Sequence, residues 1–225
     1  MRIRVVTALV LLALVGTASA ALIEPYHRSV SLQSTNFTTS ITIPKFDTST
    51  GRTLLSIEFI LSGHVQGVVQ FENEDANAAT VIAKLQAELE LTRPDPNSVL
   101  VVTIPVWDNS PGEDLPGYDG TTDFAGLSGR TYDDPNVIYG DKTETQTTSL
   151  SADLALFSTT TGETITLWVK GTGTSYASGP GNITSSFSTD ASAEVTVNYY
   201  YIPEPGMMGL LTLGGLFGFR RRWLR

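Results

Sequence analysis

Apolar residues recur at every second position in several stretches of this chain, and that rhythm fixes what the chain can fold into. Val81, Ala83, Leu85, Ala87, Leu89 and Leu91 take every second position, with Lys84, Gln86, Glu88 and Glu90 between the last five of them. Side chains of a strand point to opposite faces with a period of two, so this pattern predicts a half-buried antiparallel strand. Ala, Leu, Glu, Lys and Gln in the same stretch favour helix by propensity. A helix would nevertheless place Lys84 and Glu88 on the flank of Leu85 and leave no clean apolar stripe, so the pattern decides for strand. The same alternation runs through Phe37/Thr39/Ile41/Ile43, Leu55/Ile57/Phe59/Leu61, Leu150/Ala152/Leu154/Leu156, Ile165/Leu167/Val169 and Val195/Val197/Tyr199/Tyr201.

Val99 to Ile104 is a continuous apolar run, which reads as a strand covered on both faces. Gly63 and Gly67, around His64 and Val65, read as a hairpin turn or bulge between two strands. Eight or nine such strands predict an all-β fold, an antiparallel β-sandwich with a jelly roll as one topology. Pro105 to Asp141 breaks the rhythm with Gly, Pro, Asp and Asn, and is expected to loop over one end. Strand order is not readable from the pattern.

Both ends of the 225-residue chain read as addresses rather than as structure. Met1-Arg2-Ile3-Arg4, an apolar run from Val5 to Val15 and then Gly16-Thr17-Ala18-Ser19-Ala20 make a secretory signal peptide, expected as a helix over 1–20. Ala18 and Ala20 form the small-residue site for signal peptidase, with cutting after Ala20. Arg2 and Arg4 are not adjacent, which favours the general secretory route over the twin-arginine route. At the other end stand Pro203-Glu204-Pro205, an uncharged stretch from Gly206 to Phe219, and Arg220, Arg221, Arg222 and Arg225 around Trp223 and Leu224. The prolines keep the peptide extended and accessible. Residues 206–219 would span only about 21 Å as a helix, a marginal transmembrane anchor that relies on bilayer thinning and snorkelling arginines. The arginines act as a cytoplasmic membrane stop, leaving 21–202 outside.

Residues 21–202 are left as one extracytoplasmic domain. The chain has no cysteine, which excludes disulfides, thiolate catalysis and Cys-ligated zinc. Between Ala21 and Ile202 stand 8 Lys and Arg against 22 Asp and Glu, a net charge of −14. Such a surface repels nucleic acid, so none is expected as a partner, while divalent cations and neutral polysaccharide are tolerated.

The C-terminal arrangement resembles the PEP-CTERM sorting signal of Gram-negative bacteria, with Pro203, Glu204, Pro205, the apolar run and the arginines each in place. The resemblance covers about the last 23 residues. It implies processing by an exosortase, a membrane-embedded cysteine enzyme that cleaves at or near the motif, a transient stay at the inner membrane, and passage to the cell surface or the exopolysaccharide matrix. The stretches 63–73, 175–182 and 185–197 resemble the choice-of-anchor E domain, a set of exported bacterial domains carrying different C-terminal anchors. That resemblance implies a surface-protein module without an assigned activity; Pro105 to Asp141 is poorly covered by it.

Chemistry within the domain is sparse. Asp108, Asp114, Asp119 and Asp123, together with Glu113, Asp133, Asp134 and Asp141, crowd the irregular stretch, with Arg130 the opposing charge. Calcium takes six to eight oxygens, so these are its candidate ligands, but no EF-hand register is present and a solvated loop is the simpler reading. His27 and His64 are the two histidines, neither with a second ligand nearby in sequence, and no G-x-S-x-G elbow occurs. The expected function is therefore that of an exported, non-enzymatic surface or biofilm-matrix protein. One alternative is a carbohydrate-binding module using Trp107, Tyr118, Tyr132, Tyr139 or Trp168. Another is a secreted hydrolase using the loop carboxylates.

Overall fold

A computed structural model describes residues 21–203. The expected signal helix with Ala18 and Ala20, Glu204 and Pro205 of the motif, the 206–219 span and Arg220, Arg221, Arg222 and Arg225 all lie outside the described residues. Within them the chain is all-β and antiparallel, apart from one short helix and one two-residue parallel pairing.

The strands are β1 (Leu22–Ser34), β2 (Phe37–Pro44), β3 (Phe46–Asp47), β4 (Thr53–Asn73), β5 (Ala79–Thr92), β6 (Val99–Thr103), β7 (Val106–Asp108), β8 (Glu113–Leu115), β9 (Gly129–Tyr132), β10 (Tyr139–Thr148), β11 (Ser158–Thr159), β12 (Thr164–Gly173), β13 (Tyr176–Ser178) and β14 (Ile183–Ile202), with α1 (Ser151–Leu156) after β10. One sheet runs β1-β14-β4-β10, with β9 also on β4. The other large sheet runs β13-β5-β12-β2, with β6, β7 and β8 also paired to β5, and β3 and β11 make a third, two-stranded sheet. Inner faces of the two sheets share one apolar cluster, including Ile57, Phe59, Leu61 and Phe71 from β4, Val195, Val197 and Tyr199 from β14, and Leu85, Leu89 and Leu91 from β5.

Burial follows the sequence rhythm where the rhythm is long. In β5 every second side chain from Val81 to Leu91 is buried, while Lys84, Gln86, Glu88 and Glu90 face outward. Burying one such leucine stabilises the fold by about 2 kcal/mol, enough to override helix propensities of a few tenths per residue.

Three expectations are corrected. Gly63 and Gly67 lie in no turn, because β4 runs unbroken for 21 residues. They are glycine for lack of room: a Cβ on Gly63 would sit 2.6 Å from Leu89 Cδ1, and one on Gly67 1.9 Å from the Ser188 carbonyl oxygen. Leu150 to Leu156 is not a strand but carries α1, which turns Asp153 and the following Phe157 inward and leaves Leu150 exposed. Val99 to Ile104 is not covered on both faces; Leu100 and Val101 are buried, but Val99, Val102 and Ile104 are exposed, since β6 borders β5 on the outside of its sheet. The irregular stretch 105–141 also holds more pairing than expected, namely β7, β8, β9 and the start of β10.

Strand register fixes where the ends of the domain lie. Leu22 pairs with Tyr201 and Thr53 with Ile202, so the first and last strands meet at one end. Asn73 pairs with Ile183 at the other end, about 65 Å away at roughly 3.3 Å per residue along β4.

Candidate functional site

Loops gather at the end of the domain far from the termini, and two buried polar residues of β4 organise them. Glu72 Oε2 accepts the Phe124 backbone N–H at 2.8 Å and its Oε1 accepts the Ser128 hydroxyl at 2.5 Å. Asn73 donates from Nδ2 to the carbonyls of Asn77 and Pro116, both at 2.8 Å, and its Oδ1 accepts the Asp75 N–H. Glu74 extends the anchoring outward, accepting from the Thr122 hydroxyl and from Asn182 Nδ2. Buried polar groups are tolerated only when hydrogen-bonded, and this run ties three loops to one strand end.

The acidic residues that drew attention in sequence are spread along those loops and mostly serve turns. Asp108 accepts the Ser110 N–H, Asp119 the Thr121 N–H and Asp123 the Ala125 N–H, each two residues ahead. Such Asx turns satisfy backbone donors that no strand partner reaches. The backbone N–H of Thr121 holds the Asp119 carboxyl below the usual carboxylate range. Asp114 instead accepts the Thr80 hydroxyl at 2.6 Å. Among the described residues no three His, Asp or Glu side chains converge as a metal site would require. Glu113 faces Arg130 at 2.6 Å and also receives the Tyr132 hydroxyl at 3.2 Å.

Aromatic candidates divide by exposure. Trp107 and Tyr132 pack on each other at 5.3 Å between centroids, and Tyr132 lies 5.9 Å from Phe71, so both belong to the margin of the core. Burial pushes the Tyr132 hydroxyl pKa up. Trp168 points outward from β12 and donates Nε1–H to the Pro94 carbonyl. Tyr118 and Tyr139 are exposed, as is Tyr176.

Sequence reading missed two constellations that strand register creates. His64 on β4 stands opposite Asp141 on β10 and Ser192 on β14, on the floor of a shallow groove of about 340 Å³. Its Nδ1 lies 2.7 Å from Asp141 Oδ1, its Nε2 3.2 Å from Gln66 Oε1, and its ring stacks on Tyr139 at 5.9 Å. The nitrogen that a nucleophilic hydroxyl would need is thus engaged with an amide. At the opposite end Arg93 grips Asp153 in two parallel contacts of 2.8 and 2.9 Å beside a cleft of about 350 Å³.

Around the termini, Arg52 closes the core. Its guanidinium lies 4.6 Å from the Phe46 ring centre and 5.0 Å from that of Tyr201, and pairs with Glu24 at 2.7 Å. Tyr26 donates its hydroxyl to Glu24, and burial together with that carboxylate pushes its pKa up to about 12. Pro203 follows directly on Ile202, the last residue of β14. No described helix is long and apolar enough to cross a membrane.

No protein-family profile and no curated protein matches the chain. Among solved structures it aligns with the VP2 subviral particle of infectious bursal disease virus over 89% of its own length and 49% of that chain, at 10% identity and a TM-score of 0.17. It also aligns with the Gx strain of the same virus over 82% of its length and 42% of that chain, at 14% identity and a TM-score of 0.13. The chain therefore spans about half the length of these structures or less, and a likeness at such TM-scores carries no argument about fold or function.

Proposed function

We propose that this chain is an exported, non-enzymatic surface or matrix protein, sorted through Pro203, Glu204 and Pro205. In this reading signal peptidase removes residues 1–20, and the 206–219 span holds the chain briefly at the inner membrane with Arg220, Arg221, Arg222 and Arg225 in the cytoplasm. An exosortase then acts at the motif, and the domain passes to the cell surface and its exopolysaccharide. The domain itself is read as a jelly-roll β-sandwich, a reading supported by the strand orders β1-β14-β4-β10 and β2-β12-β5-β6.

One observation carries the proposal. Strand pairing reaches Ile202 and the motif begins at the next residue, while the buried cluster is closed by residues between Val30 and Tyr199. A cut at the motif would therefore free the domain without opening its core. The test replaces Pro203, Glu204 and Pro205 by alanine together in an exosortase-bearing Gram-negative host. The expected result is accumulation of the variant in the inner-membrane fraction and its loss from the surface. Surface display at the wild-type level would refute the proposal.

A further inference from the structure

We propose that the end of the domain from which the tail departs is a bilayer-contacting surface, in which Leu22, Ile23 and Leu55 enter the lipid headgroup layer while the full chain is anchored. This rests on the reading that residues 206–219 span the membrane, and it adds a second, independent contact with the same lipid.

Reach is the first reason. Only Glu204 and Pro205 separate Pro203 from Gly206, and these three residue steps extend at most about 11 Å. The headgroup layer on each side of a bilayer is itself roughly 5–8 Å thick. Pro203 therefore lies within the headgroup layer or at most about 6 Å beyond it once the helix is inserted, which brings the side chains around Ile202 to the edge of the interface.

Side-chain composition at that end is the second. Leu22 is 45% exposed, Ile23 54% and Leu55 40%. Single exposed leucines are ordinary on protein surfaces, but these three stand together at one end of the sheet, with Leu22 and Ile23 on its opposite faces. Leu22 pairs with Tyr201 and Ile23 with Tyr200, on one side of β14. On its other side, Tyr200 pairs with Ser56 and Tyr201 with Leu54, so Leu55 is the extra residue of a β-bulge. A bulge re-aims its unpaired side chain, and here the chain uses it to present a leucine beside two tyrosines. Tyrosine is the residue type that favours the membrane–water interface, where one edge is apolar and the other wet.

Charge is the third. Arg28, Lys45 and Arg52 at this end stand beside Glu24, Asp47, Glu58 and Glu163, with Arg52 paired to Glu24 and Lys45 to Glu163, so its charge is near balance, whereas Glu74, Asp75, Asp114, Asp119 and Asp123 crowd the loops about 65 Å away. An anionic leaflet would repel the loop end and tolerate the terminal end, which holds the domain upright.

The absence of cysteine allows a direct test. Ile23→Cys, Leu55→Cys, Asp123→Cys and Leu213→Cys are made singly in the full chain, labelled with an environment-sensitive fluorophore and reconstituted in vesicles of zwitterionic and anionic lipid carrying headgroup-region and acyl-chain nitroxides. Labels at 23 and 55 are expected to be quenched by the headgroup-region nitroxide to at least half the extent seen at 213 with the acyl-chain nitroxide. The label at 123 should remain unquenched. Quenching at 213 without quenching at 23 and 55 overturns this inference and leaves the anchor reading standing. No quenching at 213 overturns both.

Discussion

Asp153 and Glu72 are the two carboxylates that the described fold takes out of water, and their neighbours differ. Glu72 is met by a hydroxyl and a backbone N–H, whereas Asp153 is met by a guanidinium and the Thr148 hydroxyl. Hydrogen bonds from Arg93 hold the Asp153 carboxyl below the usual carboxylate range. The unfolded chain therefore binds a proton at a higher pH than the folded one does. The pair's contribution is complete above the ordinary aspartate value and is lost as pH falls through the lowered folded value. Asp153→Asn should lower the unfolding free energy by about 2 kcal/mol near neutrality, with the deficit shrinking below roughly pH 4. Urea titrations of both proteins across that range check this, and a deficit independent of pH would show that the ion pair is not its source.

At the level of elements, glycine has two different uses. Gly67 lies inside β4 because the neighbouring strand leaves no space for a Cβ, while Gly162 lies in open space with φ +74. Gly67→Ala should destabilise by about 3 kcal/mol, since the obstructing atom is backbone and cannot swing aside. Gly162→Ala should cost only about 1 kcal/mol of left-handed strain. Equal costs in thermal unfolding would show that close approach is not what keeps Gly67. The same two meanings explain what the sequence concealed. Six alternating positions made β5 legible, but a glycine excluded by a neighbouring strand looks like a glycine in a turn, so the continuity of β4 was hidden. The run that became α1 is too short for periodicity to separate helix from strand. β1 carries a single buried hydrophobic residue, Val30, and so shows no rhythm at all. Contacts such as His64 with Asp141 and Arg93 with Asp153 bridge 77 and 60 residues, and only register can bring them together. The acidic loop was visible as charge density; its use in turns could have been read from aspartates standing two residues before an N–H that needs an acceptor. The edge strand β10 also shows its logic only in the fold. Lys142 and Glu144 pair at 3.0 Å on the one long strand that borders β4 alone, where charge discourages pairing with another chain.

Seen whole, the molecule has two unlike ends. The β4–β14 pairing runs its full length and keeps the acidic loops far from the end where Pro203 follows the last strand. Under the proposed function, the packed domain is cargo, and the segments at its termini carry its itinerary. The most direct test is the intact mass of the native protein recovered from the surface of its host. The expected polypeptide starts at Ala21 and ends at or near Pro203-Glu204-Pro205. A mass that still includes Trp223-Leu224-Arg225 would contradict the proposed sorting.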